Sequence, residues 1–587
     1  MVKKYHSKRI QYRIPMKTSI FSALISVFLI TGFCAPAAVF AQQDQESTLL
    51  PSIDPQDIEI RGEFRARFPG LSRQPILGFD PNLRIYQIDP NRQPFMESGD
   101  AVVANLPVSE LSRPAPPDYT ALRSAEDINV FTRAGAGSYI SPEINFWAAV
   151  PINTQSYVGG DVDFSSSDGH LDDRPSSFRF LTANGEFGTR LNEKTELRLH
   201  GGVQSDFNQS ANFGNSTTPN ATISRIEHEG FNGGAEVSRF ANEVTGWKLQ
   251  ANVRNFSTTF RDDALGGIIE ELTYNGSFSS RWALGNAGES ITLNAGARGG
   301  SYEPNIQPSE TWATLQGGVA YDRLFNYQTN VHAEANVFYA SNPVEDKVYP
   351  GGLLKIDHWF GDRLKITGKA EGKPQLSSVE QLHERNRFLG FSNNLRHTYS
   401  LDVTGKAFIK YYRGSKIHGG VTYSNAQDYA FFTPGSVSNP AGNGIDNYTV
   451  NYQNATNFKL FAGITHQLLP ERFWVSAQVY TQNPELNGGA QIPFEETWGI
   501  NASTSFKPIE RITIEGWANF TGERETNIAN NNAIDSFILV GARLDIEIID
   551  NLGAYAKGVN LLDQNYEVWR GYQERPLQVY GGITFKF

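Results

Sequence analysis

Thiols, long apolar runs and excess positive charge are all scarce in this chain. One cysteine, Cys34, occurs in 587 residues, so no disulfide framework or thiolate metal site holds the fold together. The longest apolar run, Ile20–Phe33, is shorter than the ~20 residues a helix needs to cross a bilayer. A helical membrane protein is therefore excluded. Lysine and arginine number 51 against 62 aspartates and glutamates, a net charge of −11 that is unsuited to nucleic acid. Linkers are missing too: nothing divides residues 128–587 into the soluble domains such a length would suggest.

The apolar run has a clear setting. Lys3, Lys4, Lys8, Arg9, Arg13 and Lys17 precede it, and Val39-Phe40-Ala41 reads as a cleavage site. Residues 1–41 are expected to be a signal peptide, with translation starting at Met1 or Met16. Cys34 lies inside this leader and would leave with it. Phe33 before Cys34 argues against lipoprotein processing.

What is present is alternation. Val331, Ala333, Ala335, Val337 and Tyr339 interleave with His332, Glu334, Asn336 and Phe338, and Leu364, Ile366, Gly368 and Ala370 with Lys365, Thr367, Lys369 and Glu371. Leu197–Gln204, Phe473–Val479, Ile512–Ala518 and Ile538–Ile546 repeat the pattern. A period of two with charges confined to one face marks strands having one apolar and one wet side. Only every second residue must face lipid, so a hydrophobic fraction of 39% is enough. Short turns (191–194, 360–363, 469–472, 507–510, 550–553) alternate with long polar loops (165–176, 206–220, 375–394, 433–447, 522–535). The expected fold is all-β: a transmembrane antiparallel outer-membrane β-barrel of about 22 strands over residues 128–587.

The chain ends on LQVYGGITFKF, with Val579, Gly581, Ile583, Phe585 and Phe587 on one face. This resembles the closing strand that the barrel-assembly machinery reads, and Tyr580, Gly582, Phe585 and Phe587 are its candidate signal residues. The stretch Val559-Asn560-Leu561-Leu562-Asp563-Gln564-Asn565-Tyr566, then Gly571-Tyr572, Pro576 and Phe587, resembles the last two strands of TonB-dependent receptors. The resemblance covers the barrel and implies import of a scarce large solute, such as a metal chelate, cobalamin or a glycan. Energy would come from an inner-membrane TonB-type complex.

One departure stands out. That family carries a plug of well over a hundred residues, whereas residues 42–127 hold eleven of the 29 prolines and lack a plug-like R-G…I-D-G pattern. The expectation is an extended, irregular periplasmic or lumenal segment. Asp57–Arg61 alternates and could add to a partner's sheet edge or pack on the barrel mouth.

Candidate sites are few. His200, His228, His332, His418 and His466 are scattered without a nucleophile or base motif, so no catalytic residue, metal or cofactor is assigned. His170 with Asp168, Asp172 and Asp173 reads as a cation site or a solvated acidic loop. Lys365, Lys369, Lys373, Lys406 and Lys410 fall on the inferred lumen face, as a stripe for an anionic ligand or as half of a charge-balanced wall with Glu371 and Asp402. Two functions remain: transport of a large solute with the plug missing or supplied by a separate protein, or a non-transport scaffold anchoring a surface complex. The expected surroundings are outer-membrane lipid, with no nucleic acid.

Overall fold

The computed structural model describes residues 129–587, apart from 172–175, 212–222, 241–244, 262–266, 286–287, 305–308, 327, 342–345, 377, 391–394 and 435–447. The expected leader and the proline-rich segment lie outside the described residues. Twenty-two antiparallel strands form one closed sheet, each paired with its chain neighbours. The first, Val130–Gly137, pairs with the last, Gln578–Lys586, from Phe131↔Lys586 to Gly137↔Tyr580. Closure gives every strand two partners, which a sheet in hydrocarbon requires.

The two faces separate as the alternation implies. Leu199, Val203, Val337, Val479, Ile514 and Ile546 are exposed on the outside. The intervening residues pair across the lumen face, as Arg198 does with Glu196 at 2.6 Å and Lys248 with Glu236 at 2.6 Å. Where such pairs meet solvent, they contribute at most ~1 kcal/mol each. The rims differ. One carries tight turns, such as Gly361–Arg363 and Arg413–Gly414; the other carries the long connections, including 377–396, 487–497 and 560–577.

The seam between first and last strands has its own clasp. Arg133 of the first strand reaches Asp545, 3.5 Å away on strand Phe537–Ile549. Lys557 and Tyr555, on strand Leu552–Val559, both bond to Glu143 of the second strand. These contacts pass over the last strand, where only glycine leaves room. A Cβ on Gly582 would stand 2.7 Å from the Tyr555 ring and 2.2 Å from the Ala134 carbonyl, and one on Gly135 would meet the Tyr555 hydroxyl.

Candidate functional site

The long-loop rim is covered from within by its own chain. The connection between strands Leu364–Leu376 and His397–Tyr412 contains a seven-residue helix, Val379–Arg385. Ser378 starts it: its hydroxyl accepts from the Gln381 N–H at 3.3 Å, and the Gln381 side chain accepts from the Ser378 N–H at 3.3 Å. This capping box satisfies two donors that a helix start otherwise leaves free.

Apolar spacing then aims the helix. Val379 and Leu382, three apart, share a face and are fully buried against Phe256, Ile269, Tyr302 and Trp312 of distant strands. Polar contacts fix the same approach. Glu271, on strand Gly267–Ala283, accepts the N–H groups of Val379 and Glu380, each at 3.1 Å. Arg254 pairs with Glu380, and His228 Nε2 lies 3.4 Å from His383 Nδ1. Burial raises the Glu380 carboxyl to about 7 against the pull of Arg254, and drives the His383 imidazole well below its usual range.

Beyond the helix, Leu389 and Leu395 are buried, and Phe388 stacks on Tyr572 at 3.5 Å between ring centroids. Tyr448, Phe494 and Trp569 complete this aromatic layer. Helix and layer together make a lid, bonded to strands far from those it connects.

Between the lid and the wall lies a cavity of about 450 Å³. Arg387 lies over the Phe180 ring at 4.3 Å, and Arg575 over Phe178 at 4.6 Å. Glu574, Phe388, Trp569 and Tyr572 face them. Burial raises the Glu574 carboxyl and lowers the Arg387 guanidinium.

The closed barrel superposes on solved structures. The copper transporter OprC superposes with a TM-score of 0.63 at 11% identity, over 79% of this chain and 82% of that one. FpvA of P. aeruginosa bound to heterologous pyoverdines gives 0.61 at 12%, over 79% and 72%. The FrpB iron transporter from Neisseria meningitidis gives 0.61 at 9%, over 79% and 82%. The chain has the barrel fold of the TonB-dependent receptors. No family model and no curated protein matches the sequence.

Within this receptor-type barrel the C-terminal motif has a structural task. Asn560 is fully buried; its amide donates to the Gln564 carbonyl at 2.8 Å, and its oxygen accepts from the Gln564 N–H at 3.1 Å. Asp563 accepts from the Leu577 N–H at 2.9 Å, closing the base of the last long loop. The terminal residues split between faces. Tyr580 is buried inward and holds Arg575 through its hydroxyl at 2.8 Å, and Gly582 lines the seam. Phe585 and Phe587 stand exposed on the outer face.

All five lysines of the stripe share the lumen face, as their register requires. Lys369 and Lys373 both donate to Glu371, at 2.7 and 2.6 Å, and Lys365 lies 3.8 Å from Asp357. Lys410 sits over Trp359 and Lys406 over Phe461. The stripe is thus interleaved with carboxylates and rings.

Two of the histidines bond within the wall: His332 contacts Asp322 at 2.7 Å and His466 contacts Tyr411 at 2.8 Å, whereas His228 meets His383 of the lid. Of the partners proposed for His170, Asp168 is exposed, and Asp172 and Asp173 lie outside the described residues. The expectation of a polar loop over 375–394 is corrected: Leu364–Leu376 ends in it as strand and Val379–Arg385 folds into the helix of the lid. The Ser378-x-x-Gln381 box, followed by buried Leu382, was the available signal.

Proposed function

We propose that the chain is an outer-membrane transport barrel of the TonB-dependent-receptor type. It is exported by the leader 1–41, set in outer-membrane lipid by the barrel-assembly machinery, and oriented with its long-loop rim outside. The observation carrying this reading is a polar 22-stranded lumen whose mouth is covered by a lid with a cavity against it. A barrel this wide would be a water-filled channel if nothing occupied it. Solved barrels of the same fold include a copper transporter and an iron transporter, which favours solute passage over anchoring.

In this reading the usual plug is missing or supplied by a separate protein, and residues 42–127 act as a partial plug or as the arm engaging a TonB-type complex. The lysine stripe lines the path behind the lid and draws an anionic solute inward or grips an acidic plug segment.

The test uses single-channel conductance and antibiotic sensitivity. A chain lacking lid residues 378–390 is compared with one lacking 42–127 as well. A plug role gives a quiet first chain and a large, nonselective conductance in the second. Equal conductance, with partner proteins stripped from the second complex, favours a scaffold with a docking arm.

A further inference from the structure

We propose that the lumen is a two-sided socket for a separate folded polypeptide, which turns an acidic face to one wall and a basic face to the wall opposite. The proposal deepens the reading in which another protein supplies the plug, and rests on it.

The charges fall unevenly around the ring. Strands Ser141–Asn153 and Ser156–Ser167, second and third in order, carry Glu143, Asp161 and Asp163 and no lysine or arginine. Strands Leu364–Leu376 and His397–Tyr412, thirteenth and fourteenth, carry the five lysines of the stripe against Glu371 and Asp402. The formal balances are −3 (three carboxylates, no base) and +3 (five lysines less two carboxylates). Second and thirteenth strands, like third and fourteenth, are eleven steps apart in a ring of 22, on opposite sides. Their heights agree as well. Counted from Ser156, Leu364 and Tyr412 at the short-turn rim, Asp161 and Lys369 stand five residues up, Lys406 six and Asp163 seven.

The side chains hold these charges without cancelling all of them. Glu143 is paired with Lys557. Asp163, however, accepts from the Asn145 amide at 2.6 Å and Asp161 from the Asn184 amide at 2.8 Å. An amide fixes a carboxylate but brings no positive charge. The charge acting on Asp161 is that of Asp163, two residues along the same face. On the opposite wall the Phe461 and Trp359 rings hold the Lys406 and Lys410 ammonium groups and leave them cationic.

Size decides what reads both walls. At ~4.8 Å per strand and a tilt of about 40°, 22 strands enclose a ring roughly 45 Å across between backbones. Side chains narrow the gap to about 30 Å, the diameter of a small domain. The Debye length is about 8 Å at physiological salt, so a small solute meets one sign alone. A domain-sized body touches both walls and is held in one rotation, since half a turn sets like charge against like. Eleven prolines within residues 42–127 disfavour a compact two-faced body, which points to a separate protein.

The test uses fluorescently labelled deca-glutamate and deca-lysine in place of the partner's two faces. Each is titrated separately into the purified full-length chain at low ionic strength, with anisotropy as the readout. Both should bind, and molar salt should release both. Asp161→Asn/Asp163→Asn should weaken deca-lysine about tenfold and spare deca-glutamate. Lys369→Gln/Lys406→Gln should weaken deca-glutamate about tenfold and spare deca-lysine. Heat-modifiability on gels shows that each variant has closed its barrel; Asp163→Asn and Lys406→Gln alone repeat the test should a double variant not insert. No binding at low salt overturns the proposal, as does either variant weakening both peptides or neither weakening its own. Binding that appears only after residues 42–127 are removed also overturns it, because the chain's own segment then fills the socket. Conductance is scored separately. A scaffold result there, with the crossed peptide pattern, removes transport alone; a transport result without that pattern removes this inference alone.

Discussion

Leu382→Ala should loosen the lid without opening the ring. Leu382 is fully buried in the apolar cluster that joins the helix to strands Gly246–Arg261 through Glu310–Phe325. Truncating such a leucine removes transfer energy and leaves a void, typically ~2–5 kcal/mol. The lid can partly collapse onto the gap, so ~2–3 kcal/mol is the working figure. Opening the lid breaks few hydrogen bonds compared with opening the sheet, so the loss falls on a local unit. At about 1.4 kcal/mol per tenfold, amides of Val379–Arg385 should exchange about 30- to 150-fold faster. Hydrogen exchange with mass spectrometry reads this directly, with Phe473–Leu486 in the wall as the internal standard. Unchanged helix protection would show that the lid is not held by this contact. A loss shared equally by the wall standard would show that lid and ring form one cooperative unit. Either result refutes the reasoning.

Other outcomes follow from the same contacts. The raised Glu380 carboxyl favours the closed lid in acid and withdraws that support as pH rises through about 7, whereas the lowered His383 favours closure above the usual imidazole range and withdraws it as pH falls. Glu380→Gln should therefore leave a lid that loosens in acid, and the double variant His228→Phe/His383→Phe one that loosens toward neutral pH; slopes of one sign in helix exchange, corrected for intrinsic rate, would contradict this. Phe587→Ala should lower the yield of inserted protein more than Phe520→Ala, because the terminal aromatic is expected to be read by the insertion machinery before the barrel closes; equal yields on membrane blots would reduce Phe587 to outer-face packing. Epitope tags within 433–447 should be reached by antibody on intact cells and tags within 507–511 should not, the reverse pattern showing that the rims are inverted.

The ring was legible in the sequence because its two faces meet different solvents. Val337 and Glu334 cannot exchange sides without placing a charge in lipid, so period two persists along the strand. Strand number followed from counting turns, since each short connection returns the chain to the same rim. The lid was not legible. Its burial depends on Phe256, Ile269 and Trp312, more than sixty positions earlier in the chain, and only ring closure brings them to the same mouth. Val379 and Leu382 among Glu380, Gln381, His383 and Glu384 give a local pattern that a solvated loop would also show. The cavity depends likewise on Arg387 and Arg575 arriving from separate loops at one pair of phenylalanines.

The contacts spanning the seam carry a consequence for biogenesis. Arg133 and Asp545, like Glu143 and Tyr555, are 412 positions apart in the chain, and Glu143 and Lys557 are 414 apart. A nascent sheet growing strand by strand has none of these three pairs until its two edges meet. The clasp therefore rewards only the finished circle, and a barrel one hairpin short would place these residues out of register and leave them unmatched. Strand number is thereby checked by side chains as well as by backbone pairing. Because the clasp faces water rather than lipid, its charges ride inside the edge as it shuts and add no toll at the hydrocarbon boundary.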